Sequence, residues 1–355
     1  MQKKRAFKII IFLLILFVLF VNVEKIFKQA VGDQGKYPQI VEFFDERENS
    51  LDAVFIGSSS TFAFWQAPIA WEKYGITVRC MTSNTQPLVA ARYLIEDGLK
   101  TQPDALYIVA INTMNEVVRS PAIHYLVDKY PFSLTKAKMI WACADYGEIP
   151  WGERLEFFFP MIRYHERWNE LQEQNFENTQ VGLKGGSKYK SFLETAKDVT
   201  SEYVMTAEYA MTQEKASNEE IPYDTLVGLL EFCKEKDVNV IFVTNPQASR
   251  SETSLRKYNA TYELIESYGF DTLNTIPMIP EIGMDFTTDY YNGSHTNVHG
   301  SLKYTLWFGN YLKEKYGFID KRFDEAYSDW EQESSKYMEI IKPYLSEEEY
   351  KRITE

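Results

Sequence analysis

Apolar positions along this chain fall into three regimes. In the first, an unbroken apolar run from Ile9 to Val21, flanked by Ala6, Phe7 and Val23, follows Lys3, Lys4, Arg5 and Lys8. Such a run reaches the lower limit of a membrane-spanning helix, about 17 residues. Basic residues on its leading side hold that end in the cytoplasm and send the remainder outside. After Val21 the chain reads Asn-Val-Glu-Lys-Ile-Phe, with no small-x-small cleavage site, so an uncleaved anchor is expected rather than a signal peptide. Residues 1–31 are accordingly read as a basic stub and anchor, and 32–50 as a tether.

The second regime alternates two periods. Ala53–Ile56, Thr77–Met81, Ala105–Ile111 and Val238–Thr244 are short apolar runs of the strand type. Pro87–Gly98, Asp224–Lys236 and about Val298–Lys315 carry apolar residues at helical spacing. Ala105–Ile111 is apolar throughout, as in a strand buried on both faces. Strands alternating with helices predict an α/β domain over 51–319, with a parallel sheet covered on both sides.

The third regime interrupts that rhythm at about 120–222, where Trp, Phe and Tyr are interleaved with charge. This section is expected to be a helical insertion. Its most aromatic stretch, Leu155 to Pro160 and on through His165-Glu166-Arg167-Trp168, suits packing on the sheet or a lid or groove for an extended substrate. The loop Lys184-Gly185-Gly186-Ser187-Lys188 lacks the spacing of a phosphate loop. A charged helical tail follows over 320–355.

Composition narrows the function classes. With 45% hydrophobic and 15% aromatic residues the chain can bury a large core, and a net charge of -13 argues against a nucleic-acid surface. The acidic runs Glu331–Glu333 and Glu347–Glu349 read as solvated helix faces. Cys80, Cys143 and Cys233 form neither a metal spacing nor a disulfide framework and are expected as buried thiols.

Ligands of open parallel sheets bind beyond the carboxyl ends of the strands. The first predicted strand runs into Gly57-Ser58-Ser59-Ser60, the second into Asn84 and Gln86, the third into Asn112 and Asn115, and the fourth into Asn245 and Gln247. All therefore fall on one edge, and His295 precedes the last helix. Serine becomes a nucleophile only when a base takes its proton, and histidine suits that task. Of the four histidines, His124 and His165 lie in the insertion and read as packing residues. His295 and His299 are spaced like a metal pair but lack a third ligand, so no metal and no cofactor are expected.

Two blocks, Phe55-Ile56-Gly57-Ser58-Ser59-Ser60 and Asp289-Tyr290-Tyr291-Asn292-Gly293-Ser294-His295-Thr296-Asn297, resemble the two ends of the SGNH (GDSL-like) hydrolase superfamily. The anchored layout resembles its bacterial envelope members of the teichoic-acid D-alanylation and exopolysaccharide O-acetylation type. In those, Gly-Ser-Ser replaces Gly-Asp-Ser and the late block ends Asp-x-x-His-Leu-Asn followed by Gly. His295, Asn297 and Gly300 match that ending, and the resemblance covers roughly Leu51 to Leu312.

The resemblance implies a three-layer domain of flavodoxin-like order, with Ser59 as nucleophile, His295 as general base and the Ser59 N–H in the oxyanion hole. Gln86 or Asn84 stands near the block that supplies a glycine N–H, and Asn112, or equally Asn115, near the block that supplies an asparagine side chain. It further implies an extracytoplasmic serine esterase or O-acyltransferase acting on an envelope polysaccharide or teichoic-acid-like substrate, with a multi-spanning membrane O-acyltransferase as partner in the case of transfer. The chain departs from the pattern at Asn292, where the family has Asp. Asp289, six residues before His295, is the candidate substitute. The departure motivates an alternative, a catalytically inactive glycan-binding or complex-organising protein. An ordinary α/β-hydrolase elbow is disfavoured because Thr61 stands where its second glycine belongs.

Overall fold

The computed structural model describes residues 2–28, 39–115, 117–169, 171, 185–200, 212–248 and 251–355. Helix α1 (Gln2–Lys28) contains the apolar stretch Arg5–Val23, long and apolar enough to cross a membrane and unburied by the rest of the chain. The domain is built on five parallel strands: β1 (Ala53–Gly57), β2 (Val78–Thr82), β3 (Leu106–Ala110), β4 (Val240–Thr244) and β5 (Asp271–Asn274). Their order is β2-β1-β3-β4-β5, the flavodoxin-like winding.

Every residue of β1 to β4 is buried, as strands covered on both faces must be. β5 is different. Its Asp-Thr-Leu-Asn sequence lies partly exposed at the sheet edge and carries no apolar run, so the pattern that marks the other four passes over it.

Between β1 and β2 lie α2 (Ser59–Phe64) and α3 (Ala67–Tyr74), and α4 (Ala91–Gly98) leads toward β3. The insertion holds α5 (Ser120–Val127), α6 (Leu134–Tyr146), α7 (Trp151–Phe158), α8 (Pro160–Tyr164) and α9 (Lys190–Glu194) among its described residues. Next come α10 (Tyr223–Glu235), α11 (Glu252–Ser267) and α12 (Val298–Tyr316), then α13 (Ser328–Ile341) and α14 (Glu347–Thr354) in the tail. α3 and α12 pack together on one side of the sheet, and α4, α10 and α11 associate on the other. Before α12, the short hairpin of β6 (Tyr290–Asn292) and β7 (His295–Thr296) stands apart from the main sheet.

The stretch read as a tether is docked from Gln39 onward: Ile40 and Phe43 belong to the core. Glu46 pairs with Arg79 of β2 at 2.5 Å, and Arg79, 1% exposed, also reaches Glu333 of α13 at 3.0 Å beneath the ring of Trp330. The acidic run Glu331–Glu333 is thus not simply a solvated face, since Glu331 also accepts from the Trp71 indole. The tail folds back, burying Tyr337, Met338, Ile341 and Ile353 with Ile69 and Leu302.

The Gly185-Gly186-Ser187 loop is a clasp. Gly185, at φ +77°, donates its N–H to Glu42, while Ser187 donates to Gln66 and to the Phe62 carbonyl. All three cysteines are free and buried.

Candidate active site

β1 passes into α2 through Gly57 and Ser58. A side chain at Gly57 would meet Thr61 Oγ1 at 2.0 Å and the Ala110 Cβ at 2.9 Å, so this glycine permits the helix and β3 to close on the strand end. Ser58 and Ser60 turn inward, each 2% exposed. Asn245, at the end of β4, donates its amide to Ser60 Oγ (3.3 Å) and Thr61 Oγ1 (3.1 Å), tying the first turn of α2 to the sheet. Ser59 is half-buried and points the other way, with its Oγ 2.8 Å from Nε2 of His295. As the first residue of α2, its N–H has no intrahelical acceptor.

His295 arrives on the β6–β7 hairpin, which is pinned to α2 by a hydrogen bond from Thr296 Oγ1 to the Ala63 carbonyl. Asn292 Oδ1 accepts the Ser294 N–H at 2.9 Å and lies 2.9 Å from His295 Nδ1. An atom that accepts a backbone N–H is a carbonyl oxygen, so Nδ1 must carry the ring proton and Nε2 must be bare. The serine hydroxyl then donates to Nε2, the arrangement a general base requires. Tyr291 stacks on the imidazole, centroids 5.3 Å apart, and its hydroxyl lies 2.9 Å from that of Tyr189. Burial lowers the His295 pKa from 6.5 to about 4 and pushes the Tyr291 hydroxyl up to about 12, so both are neutral near pH 7.

Asn297 and Gly300 hold the histidine in place. Asn297 caps α12, its Oδ1 accepting from the His299 and Gly300 N–H groups, while its amide donates to the Thr195 and Thr288 carbonyls. A Cβ at residue 300 would lie 2.3 Å from the Asp289 carbonyl oxygen, so only glycine lets the helix approach the hairpin this closely.

Three expectations need adjustment. Asp289 does not orient His295: its buried carboxylate accepts from the Asp285 N–H and the Lys303 ammonium, and the six-residue spacing turns it away from the ring. Gln86 spends its amide on the Met81 carbonyl and accepts from Ser83. Asn112 accepts the Asn245 N–H at 2.6 Å and donates to the Asn245 carbonyl and Tyr258, stitching β3 to β4. The Asn112 amide is thus engaged in full, and the Gln86 side chain in part. His299 lies 2.7 Å from Glu349, so the run Glu347–Glu349 is not simply a solvated face either. Asn84, half-buried after β2, has no hydrogen bond to its side chain among the described residues, and the Asn115 side chain lies outside them.

No family model matches the chain, and no curated protein matches its sequence. Sequence reasoning placed Asn245 on the correct edge without its partners, and it missed the Tyr291–Tyr189 wall. Membership of Tyr291 in the late block was the one available signal.

Proposed function

We propose that this chain is an extracytoplasmic serine esterase or O-acyltransferase of the SGNH type, anchored by α1 and acting on acyl groups of a cell-envelope glycan. The observation that carries the proposal is the 2.8 Å contact between Ser59 Oγ and a His295 Nε2 that bears no proton. His295 takes the hydroxyl proton as the serine oxygen bonds to the ester carbonyl carbon. It returns that proton to the leaving alcohol when the tetrahedral adduct collapses to acyl-Ser59. An incoming hydroxyl, from a sugar or from water, then loses its proton to His295, takes the acyl group and frees the serine. Asn292 keeps the tautomer correct but supplies no negative charge for the imidazolium that forms. The Ser59 N–H is the first oxyanion donor, and Asn84, whose amide has no partner among the described residues, is the candidate for the second, with the Gln86 backbone N–H as the alternative. A multi-spanning O-acyltransferase is the partner that acyl transfer would require.

A neutral Asn292 also favours a second reading, an inactive relative that binds glycan or organises an envelope complex. One experiment separates the two. The full-length protein in detergent is treated with a fluorophosphonate probe, and the adduct is located by peptide mapping. Labelling at Ser59, lost in Ser59→Ala and in His295→Ala, supports the enzyme. Folded protein that takes no label supports the binding protein.

A further inference from the structure

Among the described residues, twelve large apolar side chains are exposed outside α1, and ten of them lie between Val117 and Trp168. Surface apolar residues scattered singly are ordinary, but this concentration is not. Within it α7, α8 and the residues that join and follow them carry five. Trp151 and Leu155 lie four residues apart on α7, Phe159 joins the two helices, Ile162 lies on α8, and Trp168 follows six residues later in a 3-10 segment (His165–Asn169). Trp151 and Trp168 are more than 70% exposed.

The opposite face of α7 is committed to the protein. Phe157 is fully buried against the His124 ring, and Arg154 donates to the Ile149 carbonyl. α7 therefore has one side committed to the insertion and one that stays largely exposed, although Trp151 touches Trp141 at its edge.

The exposed side meets α1. The Phe159 ring packs edge-on against Phe20 with centroids 5.7 Å apart. Phe20 lies three residues before the outer end of the Arg5–Val23 stretch, about 5 Å along the helix axis. If α1 spans a bilayer, that depth is the boundary between acyl chains and headgroups. Tryptophan is enriched at that boundary, and surface helices bury an apolar face there to a depth of about 5–10 Å. The exposed Arg163 beside Ile162 suits the headgroup side of such a boundary.

We infer that the apolar face of α7 and α8, with Trp168, lies in the outer interface of the membrane that α1 spans, so that the domain is held at two points rather than swinging from a tether. This rests on the anchor reading of the proposed function. It makes the insertion a membrane-facing element instead of a lid, and restricts the substrate to glycan carried close to the bilayer.

The full-length protein, in nanodiscs of three parts phosphatidylcholine to one part phosphatidylglycerol, is labelled with an environment-sensitive fluorophore at Leu13→Cys, Leu155→Cys or Phe323→Cys. The native thiols are buried and Phe323 is an exposed tail residue. Nitroxide lipids then report depth. The expected result is deep quenching at 13, shallow quenching at 155 several-fold above that at 323, and water exposure at 323. Quenching at 13 with 155 no different from 323 overturns the inference while leaving the anchor in place, and points to water or a protein partner over the patch. Absence of quenching at 13 overturns both.

Discussion

His124 carries a carboxylate on Nδ1 and, among the described residues, no hydrogen bond on Nε2, which faces Glu156 at 3.9 Å, whereas His295 carries a serine on Nε2 and only an amide on Nδ1. Each histidine holds what the other lacks. The His124–Asp128 pair, 2.8 Å apart, is joined across one turn of α5, a contact that helical periodicity supplies locally. The Ser59–His295 contact spans 236 residues and exists only because the sheet brings β1 and the last hairpin to the same edge. A catalytic arrangement is marked less by an acid beside a histidine than by a distant nucleophile delivered to its other nitrogen.

The sharpest test of that contrast removes the distant pair. Ser59→Ala should abolish fluorophosphonate labelling, and His295→Ala should reduce its rate to background, because single losses of serine or histidine in serine triads cost about 10⁶-fold. His124→Ala should leave labelling at Ser59 intact. Equal loss in His124→Ala and His295→Ala, with folding preserved, would break the comparison.

Next in size is the missing charge. With the His295 pKa at about 4, protonation removes the base only as pH falls through that value, so labelling should persist at mildly acidic pH. Asn292→Asp places an anion on Nδ1, stabilises the imidazolium and raises the pKa by about 1–3 units. The acid limb of the labelling rate should move upward accordingly, with a rate gain of about ten- to a hundredfold on the plateau. A profile unmoved by Asn292→Asp would show that Asn292 does not govern the ring. The wild-type linkage has the opposite sense for stability. The unfolded chain binds the proton near 6.5 and the folded chain only near 4, so acid favours unfolding across that window.

Asp128→Asn and Asp289→Asn should both lower stability without shifting that profile. Each weakens a buried hydrogen bond to a charged or ring partner, a cost of about 1–3 kcal/mol, read as a lower midpoint in denaturant. A displaced acid limb in Asp289→Asn would restore Asp289 as the orienting acid. The smallest change is expected for Tyr291→Phe. It deletes the hydroxyl contact with Tyr189 but keeps the ring on His295, so stability should fall by about 1 kcal/mol and the labelling rate should change only a few-fold.

Four strands could be read from the chain because burial on both faces demands unbroken apolar runs, as in Ala105–Ile111. The edge strand Asp271–Asn274 and the two-residue β7 escape that logic, since neither needs such a run. Ser59 and His295 were legible from their motifs. Which of Asp289 and Asn292 faces the ring was not, because spacing along a hairpin does not reveal that Lys303, in the following helix, claims the carboxylate. Gln86 and Asn112 were placed on the correct edge for a similar reason and with the same limit: sequence locates an amide but does not disclose what it already binds. The acidic run of α13 concealed Glu333 in the same way.

The partners of Arg79 also set an order of assembly. Its shell is drawn from residues 46, 330 and 333, so the side chain waits through some 250 residues of synthesis before its second carboxylate exists. Until α13 arrives, Arg79 has only Glu46 and its neighbours to balance it, and contacts closed over such separations form late. The fold therefore carries its own delay. The sheet edge bearing Ser59 can be laid down early, but the molecule is locked only by the segment that emerges near the end.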